Sequence, residues 1–238
     1  MTSSQELEIV PGTTTLGGIV AERPQTAVVF ERLGLDYCCG GQQTLEEACR
    51  SRDLDPETVA TMLAALENAG SSAGPEGAHD LADATVDQIC DHIVSRHHEP
   101  LAETLPRISE LMGKVVRAHG ADDPGVIRLA DLFGETRSEL EDHMRLEEQS
   151  LFPACREVAE GGKAPSAELL GELLDTHQAT GEALKQLREL GHDYRPESAH
   201  CNTHRVLLHE MREFEMDLHM HIHEENNILF PKVREAAS

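Results

Sequence analysis

Two segments of the chain set a histidine and a glutamate four residues apart and then run on to the same Leu-Phe-Pro. They are His143-x-x-x-Glu147 with Leu151-Phe152-Pro153, and His221-x-x-x-Glu225 with Leu229-Phe230-Pro231. Residues four apart share one face of a helix about one turn from each other, so each pair can aim an imidazole and a carboxylate at one point. The proline that follows packs with its apolar neighbours and ends or kinks each helix. Another histidine precedes each motif by a similar distance, His98 before His143 and His177 before His221. The repeat is therefore a helical hairpin, and two hairpins supply four histidines and two glutamates. His97 competes with His98, but adjacent helix residues point about 100° apart. The spacing selects His98 and leaves His97 facing solvent.

Four neutral imidazoles and two carboxylates, with no thiolate in the repeat, suit iron, manganese or zinc better than a soft metal. Glu147 and Glu225 suit bridging. If each spans two ions that an oxo or hydroxo group also joins, every ion keeps one open position for a small ligand, where function is expected. The remaining histidines, including His79, His192, His200 and His209, read as exposed or locally satisfied. His119, His219 and His223 are solvated or steer ligands from behind. Glu148 and Glu224 read as surface charges.

The elements that must position these residues are helices. Strand signals are nearly absent: the chain has five Phe, two Tyr and no Trp, and Leu, Ala, Glu and Arg fill the periodic segments. The fold class is all-α, with an antiparallel four-helix bundle at residues 81–235. Its first helix starts at Thr85, capped with Gln88, and runs towards His119. The second starts at Asp123-Pro124 and ends near Glu160 after an interruption at Pro153, the third spans Pro165 to Leu190, and the fourth Asn202 to Lys232. Residues 14–69 form a small helical domain, with a capping box at Thr44 and Glu47 and a helix start at Asp55-Pro56. The Gly-rich stretch at 70–80 reads as a linker. A domain of about 55 residues is marginal alone, which calls for a partner or a second copy of the chain in a homodimer.

Composition removes several function classes. A formal charge of −24 repels phosphate backbones and anionic membrane surfaces, so neither nucleic acid nor a membrane is an expected partner. No apolar run approaches the roughly 20 residues of a membrane span, and the start of the chain does not read as a signal peptide. The expected compartment is the cytoplasm, where the six cysteines stay reduced.

The run Asp36-Tyr37-Cys38-Cys39-Gly40-Gly41-Gln42-Gln43-Thr44-Leu45, both His-x-x-x-Glu motifs, and Cys201-Asn202-Thr203 together resemble the repair-of-iron-centres proteins, di-iron members of the hemerythrin-like superfamily. The resemblance spans Thr14 to Val233. It implies two iron ions per chain, held by His98, His143, Glu147, His177, His221 and Glu225, and a role in recovering iron-sulfur clusters after nitrosative or oxidative stress. The implied partners are damaged iron-sulfur proteins or a cluster-assembly scaffold, with nitric oxide or oxygen as small ligands. Three activities fit: donation of iron or electrons for repair, nitric oxide reduction at the two irons, or reversible oxygen or nitric oxide binding by a sensor or carrier. Repair ranks first because the cysteine segment has no purpose in simple gas binding. Cys38 and Cys39 match that segment and stand as redox or client contacts, just before the helix that Thr44 caps, whose dipole should favour thiolate. Cys49, Cys90 and Cys155 read as buried structural residues. His204 departs from the family pattern, where an aromatic residue is expected, which puts local packing in question.

Overall fold

A computed structural model describes residues 9–68, 81, 83–159 and 161–237. The linker reading at 70–80, together with Ala69 and His79, lies outside them. Among the described residues the regular elements are all helical, and the only extended pairing is one bridge between Thr15 and Thr44. The chain divides into two compact units, Met1–Thr85 with Ile222–Lys232, and Val86–His221 with Val233–Ser238.

The first unit begins with four helices: α1 (Leu16–Glu22), α2 (Ala27–Leu33), α3 (Leu45–Arg50) and α4 (Pro56–Asn68). Their ends follow local chemistry. Thr44 Oγ1 accepts the Glu47 N–H at 3.2 Å while Glu47 Oε2 accepts the Thr44 N–H at 3.0 Å, completing the capping box. Asp55 accepts the Thr58 N–H at 2.9 Å ahead of Pro56, which has no N–H to lose at a helix start. Gly34 closes α2 at φ 66°, a conformation that glycine enters without a Cβ clash. Leu16, Ile19, Phe30, Leu45, Cys49 and Leu63 are sealed from solvent and form the core of these helices.

The longer helices follow from Val86 onwards. They are α5 (Val86–Ile93) and α6 (Glu99–His119), α7 (Pro124–Leu146) and α8 (Phe152–Ala159), α9 (Ala167–Leu190), and α10 (Asn202–Glu224) and α11 (Phe230–Ala236). Three of these four rods contain a π turn, at Val94–His98, Glu147–Leu151 and Glu225–Leu229. Each π turn ends the same way: the N–H of Glu99, Phe152 or Phe230 bonds to the carbonyl five residues back, and a proline follows, Pro100, Pro153 or Pro231. A proline offers no N–H and crowds the carbonyl four residues before it. Widening the turn by one residue relieves that clash without ending the helix. The sequence reading of an interruption at Pro153 thus becomes a wide turn inside a continuing rod.

Side chains tie the rods of the second unit together. Phe133 of α7 meets Phe214 of α10 edge-on at 5.7 Å. The carboxylate of Glu215 on α10 is almost fully buried and is neutralised by Arg188 of α9, whose Nε donates to it at 2.8 Å. A buried carboxylate without such a partner would cost several kcal/mol, on the order of 3–5 when a pair is broken.

His204, the departure from the family pattern, is buried. Its ring still packs as an aromatic one, 5.2 Å from that of His200, and its Nδ1 accepts the His200 N–H at 3.2 Å. Burial pushes its pKa below the usual 6.5. The unfolded chain therefore takes up a proton here that the folded chain refuses, and stability falls as pH drops below about 6.5. A His204→Phe variant is expected to flatten this part of the stability-versus-pH curve, with melting temperature measured at pH values either side of 6.5 as the check. An unchanged slope would place the proton uptake elsewhere.

Candidate metal centre

The six residues picked out by the repeat converge. Ligand atoms of His98, Glu147, His221 and Glu225 lie within 4.8 Å of one another, and so do those of His143, Glu147, His177 and Glu225. Every residue of both groups is buried, and both groups contain Glu147 and Glu225. Each group is two imidazoles and two carboxylates, and the carboxylates are shared. That is the donor pattern of a binuclear centre.

The distances suit metal ligation better than hydrogen bonding. His98 Nε2 is 3.1 Å from His221 Nε2, and His143 Nε2 is 3.0 Å from His177 Nε2. Two nitrogens bound at about 2.1 Å and at right angles on one ion stand about 3.0 Å apart. Glu147 has no exposure, and neither of its carboxylate oxygens makes a well-formed hydrogen bond. Its neighbours are ring nitrogens: His143 Nε2 at 2.9 Å and His177 Nε2 at 3.7 Å from Oε1, and His98 Nε2 at 3.4 Å from Oε2. Burial would raise the Glu147 pKa, but the imidazoles of His143, His177 and His98 overcome it and hold the carboxyl well below the usual carboxylate range. A sealed, ionised carboxylate facing three imidazoles fits a cation.

The π turns lie at these residues. One ends on His98, and the other two begin at Glu147 and Glu225. Each shifts the phase of its helix at the residue that has to reach the centre, a frequent use of such turns at functional sites.

Residues behind the ligands depart from the sequence reading. His97 does not face solvent: it is 2 % exposed, its ring lies parallel to that of His221 at 5.1 Å and 4°, and its Nδ1 is 3.1 Å from Asp217 Oδ1. The wide turn at Val94–His98 brings adjacent histidines inward together. Glu224 is no surface charge either, because α10 is buried around its whole circumference from Met220 to Glu224. Glu148 is half-exposed as read, yet its Oε1 is 2.8 Å from His98 Nδ1. That contact fixes the tautomer that turns Nε2 inward and makes it more basic. Phe152 covers the same ring, stacked at 5.6 Å. Beside His143 a cavity of about 860 Å³ is lined by Glu139, Asp142, Glu168, Glu172 and Asp175, an acidic approach that favours cations.

Cys38 and Cys39 sit in the loop between α2 and α3. Cys38 is buried and Cys39 half-buried. The expected thiolate is contradicted at Cys38: its hydrogen bond to Cys39, its burial and the charge of Asp36 push the thiol up. Helix α3 has six residues and starts only at Leu45, too short and too far to reverse this, since a helix dipole acts within its first turn. Cys49, Cys90 and Cys155 are buried as read, and burial pushes Cys90 up to about 12.

The loop is held by side chains that nothing in the local sequence flags. Asn227 Nδ2 donates to the carbonyls of Tyr37 at 3.3 Å and Cys38 at 3.0 Å, and Asn226 Nδ2 to that of Cys38 at 3.4 Å. His223 is 1 % exposed, its Nδ1 lies 3.3 Å from the Tyr37 carbonyl, and burial pushes its pKa down to about 4. A Cβ at Gly41 would stand 2.5 Å from both the Tyr37 carbonyl and Asn227 Oδ1, so this close approach requires glycine. The residues flanking Glu225 thus grip the cysteine loop.

Comparison with known proteins follows the same two parts. Residues 91–233 match the family described as the hemerythrin HHE cation binding domain, and residues 12–67 match a domain of unknown function, DUF542. The chain is 32 % identical over 220 residues to the iron-sulfur cluster repair protein ScdA of Staphylococcus haemolyticus, covering 90 % of this chain and 95 % of that protein. It is 34 % identical over 220 residues to the iron-sulfur cluster repair protein YtfE of Pectobacterium carotovorum subsp. carotovorum, covering 92 % and 95 %. To the protein of the same name from Yersinia pseudotuberculosis serotype IB it is 34 % identical over 219 residues, with the same coverage.

Proposed function

Because this chain belongs to the family of the ScdA and YtfE iron-sulfur cluster repair proteins and carries a hemerythrin HHE cation binding domain, we propose that it is a di-iron protein acting in repair of iron-sulfur clusters damaged by nitrosative or oxidative stress. The observation that carries this is the sharing of Glu147 and Glu225 by two buried two-histidine groups. His98 and His221 would hold one iron, His143 and His177 the other, and the two glutamates both, with an oxo or hydroxo bridge between them. When bound, the iron pair supplies electrons, exchangeable iron and open positions for nitric oxide or oxygen.

The protein's own residues prepare for that. Glu148 and Asp217 orient the rings of His98 and His97, and the stacking of His97 on His221 keeps the second ring from turning. The burial of all six ligands excludes bulk water, which strengthens their hold on a cation. In the small domain, residues 14–69 in this reading, Cys38 and Cys39 act as the contact for a damaged client or a cluster-assembly scaffold. No helix among the described residues is long and apolar enough to cross a membrane, and a cytoplasmic setting is part of the same proposal.

Metal analysis of protein isolated with its metal intact is expected to find about two irons per chain. One tightly held ion would defeat the paired-site reading. Anaerobic nitric oxide added to the reduced protein separates the activities. Nitrous oxide beyond one turnover per site marks a reductase, whereas a stable nitrosyl without nitrous oxide leaves transfer or sensing.

A further inference from the structure

A third group of potential ligands stands apart from the histidines, in the loop between α2 and α3. Asp36, Cys38 and Cys39 place a carboxylate oxygen and two sulfurs within 4.8 Å of one another. The two Sγ atoms are 3.9 Å apart, and Cys38 Sγ is 3.3 Å from Asp36 Oδ1. Sulfurs bound at about 2.3 Å on one tetrahedral ion stand about 3.8 Å apart, and a sulfur and a carboxylate oxygen about 3.5 Å. The Cys38–Cys39 and Cys38–Asp36 separations are close to those of a tetrahedral metal site.

It is also held in that shape. Asp36 Oδ1 accepts the Cys38 N–H at 3.2 Å and the Cys39 N–H at 2.9 Å, which sets the carboxylate beside both thiols. The Tyr37 and Cys38 carbonyls are engaged by Asn226 and Asn227. Asp36 is exposed and Cys39 half-buried, so the group opens to solvent. Two sulfurs and one oxygen favour a borderline, thiophilic divalent ion over magnesium or calcium.

We infer that Asp36, Cys38 and Cys39 form a single-ion site that takes ferrous iron, or another thiophilic divalent cation, in transit. The identity of the cargo rests on the repair function proposed above; the existence of the site does not. Binding is ligand exchange: the ion displaces one proton from each thiol and bonds to both sulfurs and the Asp36 carboxylate, with no change of oxidation state. The three ligands leave the fourth tetrahedral position open, as in zinc sites that exchange a ligand. A client thiolate can enter there, and the ion leaves as the two cysteine thiols regain their protons. With no ion the Cys38 thiol stays protonated, so filling is expected to rise with pH.

Cobalt(II) is the probe, added anaerobically to the full-length, iron-loaded protein. The expected result is one cobalt per chain with a thiolate-to-cobalt charge-transfer band in the near ultraviolet, while the iron content and iron absorption stay unchanged. A Cys38→Ser, Cys39→Ser variant should lose the band and keep the iron. Asp36→Asn, which retains the oxygen that accepts both N–H groups, should weaken binding by about tenfold or more. Absence of the band, its survival in the double variant, or full affinity in Asp36→Asn would overturn the site. A protein that binds cobalt in this way yet repairs no cluster would leave the site standing and defeat the repair reading.

Discussion

A Glu147→Ala, Glu225→Ala double variant is expected to lose nearly all of its iron, and any that remains should show no magnetic coupling. Both groups of ligands contain both glutamates, so the substitution leaves each with two imidazoles and no shared donor. No singly placed histidine exchange removes as much. The helices should survive, because Glu147 and Glu225 each begin a π turn whose closing backbone bonds, from the Phe152 and Phe230 N–H groups, are left in place by alanine. Circular dichroism checks the helices, metal analysis the iron, and Mössbauer or paramagnetic resonance spectra the coupling. Coupling that persists would mean that other residues supply the bridges.

The second large effect concerns the small domain. A Cys38→Ala, Cys39→Ala variant is expected to keep its helical content and its iron while its repair of a nitric-oxide-damaged cluster enzyme falls to near background. The loop's attachment uses the carbonyls of Tyr37 and Cys38, which the substitutions leave in place, so the loss of stability should be about 1 kcal/mol. Thermal melts and repair assays on one preparation separate the two causes. A repair defect that only tracks melting would show that the pair packs the domain and does nothing more.

Much of the bundle was legible because helical periodicity and ligand spacing are local signals. His143 with Glu147 and His221 with Glu225 gave their own helical phase, and His98 and His177 followed from the repeat. The helix starts at Thr44, Pro56 and Pro124 were written in capping chemistry. The role of His97 was not legible, since the 100° rule assumes a regular α-helix and the π turn at Val94–His98 breaks it. A signal was present in Pro100, which stands after its turn as Pro153 and Pro231 stand after theirs. Glu224 was misread because α10 has no solvent face at that turn. The grip of Asn226 and Asn227 on the cysteine loop joins residues 188 to 190 apart in sequence, and no pattern in either segment announces it. The thiolate expectation failed for a related reason: the proximity of a helix start can be read from sequence, but the burial of Cys38 cannot.

The three wide turns have a consequence for how the chain tolerates change in length. An α-helix turns through about 100° per residue, so removing one residue from 94–98, 147–151 or 225–229 would rotate everything beyond it by that angle. Surface loops absorb such deletions. Here a deletion at Gln149 would keep all six ligands in the sequence yet swing one half of the rod away from the other, carrying Phe152 off the face of His98. At these three places the count of residues, as much as their identity, decides whether a binding site exists.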